Sequence, residues 1–215
     1  MLAWAVANLT PEELLEITTA PLPDLEGIPS WMVAQLEFPY VDGLTWASAL
    51  VGNPLEPDFT AIDEAFGSPP DSTEQIIDLA AWETREPPLP VAGADLAAGL
   101  GTGWSEVESA TLGQAMIRII LEFYGVGRQV AADASDGWGG DRLVVASDGS
   151  GGFALAWRLA WDAPADAAEF AAAYRGILGT LGFPADLVEL DDGDTLVVHG
   201  STEDLLRRAA SAAGG

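Results

Sequence analysis

No cysteine and no lysine occur in the 215 residues, and histidine occurs once. Without cysteine there is no disulfide framework and no thiolate metal site, and the redox compartment stays open. Without lysine, all eight cations are arginine, set against 34 acidic residues for a formal net charge of −26. Such a field repels phosphate backbones and anionic lipid surfaces, so nucleic acid and membrane surfaces are disfavoured partners. It suits a high-salt or extracellular setting, where charges are screened within a Debye length of roughly 10 Å or less. One histidine, His199, excludes a two-histidine zinc site, and neither HExxH nor GxSxG is present. His199 closes an apolar "TLVV" run and reads as a structural or surface residue. No apolar run reaches the roughly 18 residues of a membrane span. The opening "MLAWAVANLTPEELLE" has no basic n-region and no small-residue cleavage site, so it reads as helix in progress rather than a signal peptide.

What is present is 49% hydrophobic, enough to bury a core, with mean hydropathy of +0.21 arguing against wholesale disorder. Residues 1–82 read as helices parted by proline turns. Thr10 with Glu13 and Pro11 forms a capping box, and Leu14, Leu15 and Ile17 follow it. Ser30 is the expected cap of "SWMVAQLEF", which Pro39 should end or kink at Phe38. "GLTWASALVG" is a further helix, "DFTAIDEAFG" a short amphipathic one, and Ser72 to Gln75 opens another capping box. Residues 83–107 are rich in proline and glycine and read as a linker or an extended crossing segment. Residues 108–215 change period. A helix carries Leu112, Met116, Ile119, Ile120 and Phe123 at helical spacing. Two hairpins turn at "DGSGG" and at Asp192-Gly193, each followed by a helix, with Asp162 a candidate cap for the first. The expectation is an α+β fold: an N-terminal helical region, then an antiparallel sheet with helices on one face, in the order strand-strand-helix-strand-strand-helix.

Five residues are candidates for a ligand site. In "EFPYVDG", Glu37, Tyr40 and Asp42 can line a groove; the ordinary alternative is a helix corner packed by Phe38 and Tyr40. In "GWGGD", two glycines allow close approach beside Trp138, and Asp141 precedes a strand. The alternative there is a tight strand entry with Trp138 laid over the core. "DDGD" lacks the closing glutamate of a calcium loop and reads as turn chemistry. Other carboxylate pairs read as a solvated face. No catalytic residue, metal ligand or cofactor is indicated by any of these.

"LEFPYVDGLTWASAL", "AIDEAFGSPPDSTEQII", "TLGQAMIRIIL" and "GWGGDRLVV…ALAWRLAWDAPADAAEFAAA" occur in an order that resembles the C-terminal portion of bacterial zincin-like metallopeptidase-related proteins, over about residues 1–175. Members of that family are mostly uncharacterised and often exported or lipid-anchored. The resemblance implies a metal site built from HExxH and a third ligand in an EG-x-A type motif, both upstream of the part matched here. No residue of this chain matches a ligand, so none is carried over. The expected function is therefore a non-catalytic accessory part, acting if alone as a binding or interaction module. Expected partners are a second copy of the chain or a missing peptidase-like part. The competing expectations are a stand-alone hydrolase using its own acidic cleft, and a small-ligand-binding protein with a tryptophan-lined pocket.

Overall fold

Two hairpins build most of one antiparallel sheet. Its strands are β1 (Ser105–Ala110), β2 (Trp138–Ser147), β3 (Phe153–Trp161), β4 (Ala185–Glu189) and β5 (Thr195–Gly200), arranged β1-β2-β3-β5-β4. The computed structural model describes residues 8–13, 25–53 and 55–214. Its helices from residue 30 onward are α1 (Ser30–Val51), α2 (Thr60–Gly67), α3 (Glu74–Ile77), α4 (Leu79–Thr84), α5 (Leu96–Leu100), α6 (Gly113–Phe123), α7 (Arg128–Asp133), α8 (Pro164–Ile177) and α9 (Glu203–Ala213).

Turn chemistry places both hairpins. The Asp148 carboxylate accepts from the amides of Ser150 at 2.8 Å and Gly152 at 2.9 Å, and Gly149 and Gly151 take positive φ. Asp192 and Asp194 of the second turn both clamp Arg158 on β3, with Arg158 Nε 2.6 Å from Asp194 Oδ2. That clamp ties the β4–β5 turn to the neighbouring strand.

The α+β class and the strand-strand-helix-strand-strand-helix order are those expected. The placement of the helices differs from the expectation of one covered face. One face, with Trp157, Leu159 and Val197, packs on α6, α7 and α8 through Ile117, Leu121, Phe170 and Tyr174. The other, with Val144, Ala146, Ala154, Ala156 and Val198, is covered by α5 and α9. The central strands are apolar on both faces, so both need cover. Alanines on the second face keep that layer thin, and a Cβ on Gly99 of α5 would collide with Ala212 of α9. β1 straddles the end of the segment expected to be a linker, at residue 107. Its sequence, SEVESA, is polar and mostly exposed, as an edge strand tolerates.

The N-terminal helices depart from expectation in two places. α1 runs unbroken through Pro39, and Phe38 and Tyr40 lie mid-helix rather than at a corner. No residue of α1 is buried, so the Gln35 carbonyl that Pro39 deprives of a partner sits in an exposed turn open to solvent. Pro29, not Ser30, precedes the helix, and no side chain caps it. The expected single helix after Ser72 splits at Asp78, whose carboxylate caps α4 by accepting from Ala80 N at 2.8 Å. Ser72 Oγ accepts from Gln75 N at 3.3 Å, but the Gln75 side chain turns to Asp71 N at 3.0 Å. The Thr10–Glu13 box forms, with Thr10 N donating to Glu13 Oε2 at 2.7 Å. Leu14, Leu15 and Ile17 lie outside the described residues. α8 is preceded by Ala163 rather than capped by Asp162; Asp166 reaches back to Ala163 N at 3.0 Å. α1 meets α4 where Trp46 packs edge-on to Trp82 at 4.9 Å.

Candidate functional site

Asp141 is a structural hub. It is 3% exposed, and its two carboxylate oxygens accept four N–H groups. Oδ1 takes Leu112 N at 2.9 Å and Trp157 Nε1 at 3.1 Å; Oδ2 takes Gly113 N at 2.8 Å and Trp138 Nε1 at 3.0 Å. The two backbone donors are unsatisfied amides at the start of α6, so a carboxylate suits the positive end of that helix. One residue thereby joins β2, β3 and α6, and holds Trp138 in the core at 1% exposure. The close approach allowed by Gly139 and Gly140 is made by the chain itself. Leu89 N donates to Gly139 O at 2.6 Å, and a Cβ on Gly140 would strike the Leu89 carbonyl. Residues 86–92 thus cross the sheet's end as a strap.

Glu37, Tyr40 and Asp42 lie elsewhere. Glu37 and Asp42 line an open cleft of about 420 Å³ between α1, α6 and α7, together with Arg118 and Arg128. Asp42 is spent on an interhelix ion pair with Arg118 at 3.0 Å. Tyr40 is 75% exposed and does not line the cleft. The five candidates therefore fall into separate places: Glu37 with Asp42 at the cleft, Trp138 with Asp141 in the core, and Tyr40 alone on the surface. Among the described residues, no three histidine, aspartate or glutamate side chains are grouped so as to hold a metal ion.

A different site lies over the middle of the sheet. Leu143 on β2 and Leu155 on β3 belong to interior strands and point to the face that packs on α6, α7 and α8, yet both stay half-buried. Above them is an open apolar pocket of about 330 Å³. Leu112, Met116, Ile120 and Phe123 of the α6 segment form one wall. Leu181 and Phe183, beyond the end of α8, form another, and Trp31 of α1 reaches the rim. Trp157 lies beside the leucines on the floor.

At one end of this pocket sit its only ionisable groups besides Tyr124, namely Tyr174 on α8 and His199 on β5. Tyr174 Oη and His199 Nε2 are 2.8 Å apart, and Phe183 lies against the imidazole at 4.9 Å between ring centres. Burial pushes the His199 pKa down to about 4, so the ring is neutral at ordinary pH. Burial also pushes the Tyr174 phenol well above its usual range, so it keeps its proton. The pair is a neutral hydrogen-bonding unit, and among the described residues His199 Nδ1 has no partner. The apolar stripe on α6 was legible in the sequence, but as core. The signal for a pocket was its width: α6 also buries Ile117, Ile119 and Leu121, more apolar surface than one packed face needs.

A family model described as a domain of unknown function, DUF8575, matches residues 102–210. That span runs from β1 into α9 and contains every pocket residue except Trp31. No curated protein and no solved structure matches the chain.

Proposed function

The chain belongs to the DUF8575 family, and we propose that it is a binding module taking a small apolar molecule into the pocket between α6 and α8. The observation that carries this is the open apolar pocket above Leu143 and Leu155, where interior strands would otherwise be sealed. At about 330 Å³ its volume falls within the roughly 300–1,000 Å³ of small-molecule sites, which are mostly apolar with a few convergent polar groups. Tyr174 and His199 are those groups. The proposed role is non-catalytic: of the acids a hydrolase would use, Asp141 is saturated with N–H donors and Asp42 is paired with Arg118, which leaves Glu37 without a second carboxylate free to work with it. The sequence stretches resembling zincin-related proteins support an accessory module of an exported protein, a setting compatible with the charge of −26.

A neutral environment-sensitive dye tests the proposal. N-phenyl-1-naphthylamine should brighten on binding with one-to-one stoichiometry. Ile120→Trp, which fills the pocket from a half-buried wall position, should abolish the response while leaving the far-UV spectrum intact. Equal dye binding by the wild type and this variant would overturn the proposal.

A further inference from the structure

We infer that the pocket's ligand carries an uncharged hydroxyl-type head group, which docks on the Tyr174–His199 pair; this rests on the pocket being a ligand site. The polar end of the pocket offers one hydrogen-bonded couple and no ion. Tyr174 Oη lies 2.8 Å from His199 Nε2, and both residues line the cavity. The couple has two arrangements. If Tyr174 donates to Nε2, the imidazole proton is on Nδ1 and that nitrogen is a free donor. If Nε2 donates to Tyr174, the phenol proton is free and Nδ1 becomes an acceptor. A hydroxyl can answer either arrangement, because it both donates and accepts.

Charged head groups fare worse on two counts. A carboxylate entering an apolar pocket loses its water, and the pocket returns only neutral phenol and imidazole groups, with no cation in its lining to compensate. It must also enter against a net charge of −26. An ammonium gains from that field outside but meets no carboxylate within the pocket lining. A purely apolar molecule fits the walls and leaves the free donor unanswered. The pocket is about twice the 150 Å³ of a cavity known to hold benzene, which allows a fused two-ring body with a small substituent.

Matched ring compounds separate the head group from the body. Binding of 2-naphthol, naphthalene and 2-naphthoate to the whole chain would be measured by competition against N-phenyl-1-naphthylamine, at pH 7 and fixed salt. We expect 2-naphthol to bind roughly tenfold more tightly than naphthalene, the effect of one well-made buried hydrogen bond, and 2-naphthoate to bind least. Tyr174→Phe keeps the ring that packs on Phe170 and removes the hydroxyl. Combined with His199→Leu it removes both members of the couple, and this double variant should lose the naphthol preference while naphthalene binding persists. Equal affinities for all three compounds, preference for the carboxylate, or a naphthol preference that survives in the Tyr174→Phe/His199→Leu double variant would each overturn the head-group inference and leave the pocket reading standing. Failure of all three, with no dye response to compete against, would overturn the pocket reading and this inference with it.

Discussion

Replacing Glu74 by glutamine should stabilise the protein, and by more at high pH. Glu74 is 6% exposed on α3, and among the described residues no hydrogen bond or cation reaches its carboxylate. Burial, followed by the charges of Asp162, Glu86, Asp78 and Asp136, pushes its pKa from 4.5 up to about 7. A tenfold change in proton affinity is worth about 1.4 kcal/mol, so keeping this group charged in the fold costs about 3 kcal/mol. The sign follows from where the proton is held. The unfolded chain releases it near pH 4.5 and the folded protein near 7, so stability is lost as pH rises through that window. His199 acts in the opposite sense, because the unfolded chain takes up its proton below about 6.5 and the fold only near 4. The wild-type profile therefore sums opposed slopes from several groups, Asp162 among them, and only the difference between Glu74→Gln and wild type isolates Glu74. Urea unfolding followed by tryptophan fluorescence at pH 5.5 and 8.5, at one salt concentration, measures it. The stability gap should widen by about 2 kcal/mol between the two pH values, or roughly 4–8 °C in Tm. A gap that does not change with pH, or a variant less stable than wild type at pH 8.5, would refute the reasoning.

Three further outcomes follow from the same geometry. Asp141→Asn keeps the shape but turns an amide nitrogen towards N–H donors; it should cost about 2–5 kcal/mol, and an unchanged urea midpoint would contradict the hub. Gly140→Ala should lose about 1–3 kcal/mol, because its Cβ meets the Leu89 carbonyl, and proteolysis within residues 86–92 should quicken as the strap is displaced. Ligand affinity should be flat from pH 5.5 to 8, since His199 stays neutral down to about 4; a binding midpoint near 6.5 would show an exposed, ordinary imidazole instead.

The elements best read from sequence are those whose local chemistry leaves few options. "DGSGG" and "DDGD" specify turns through aspartate and glycine, and both hairpins form there. The helix expected after each hairpin also forms, as α8 from Pro164 and α9 from Glu203. The errors come where tertiary context decides. Pro39 is a helix breaker by rule, yet a surface helix tolerates it because water can serve the freed carbonyl. β1 was hidden because an edge strand need not alternate or be apolar. The glycines of GWGGD do permit close approach, but the approaching group is the chain's own Leu89. The pocket was least legible. Leu112, Met116, Ile120 and Phe123 have the spacing of a core stripe, and spacing says nothing about whether a neighbouring helix fills the space opposite. His199 gave no sign by itself, because its partner Tyr174 is on another element, 25 residues away.

The most direct measurement is the set of indole N–H resonances of the eight tryptophans during titration with N-phenyl-1-naphthylamine. If the pocket above Leu143 and Leu155 is the binding site, Trp157 on its floor and Trp31 at its rim will shift most, while the Trp46 and Trp82 signals of the α1–α4 contact stay put. Shifts centred on Trp46 and Trp82, or no shift at Trp157 at saturating dye, would contradict the account.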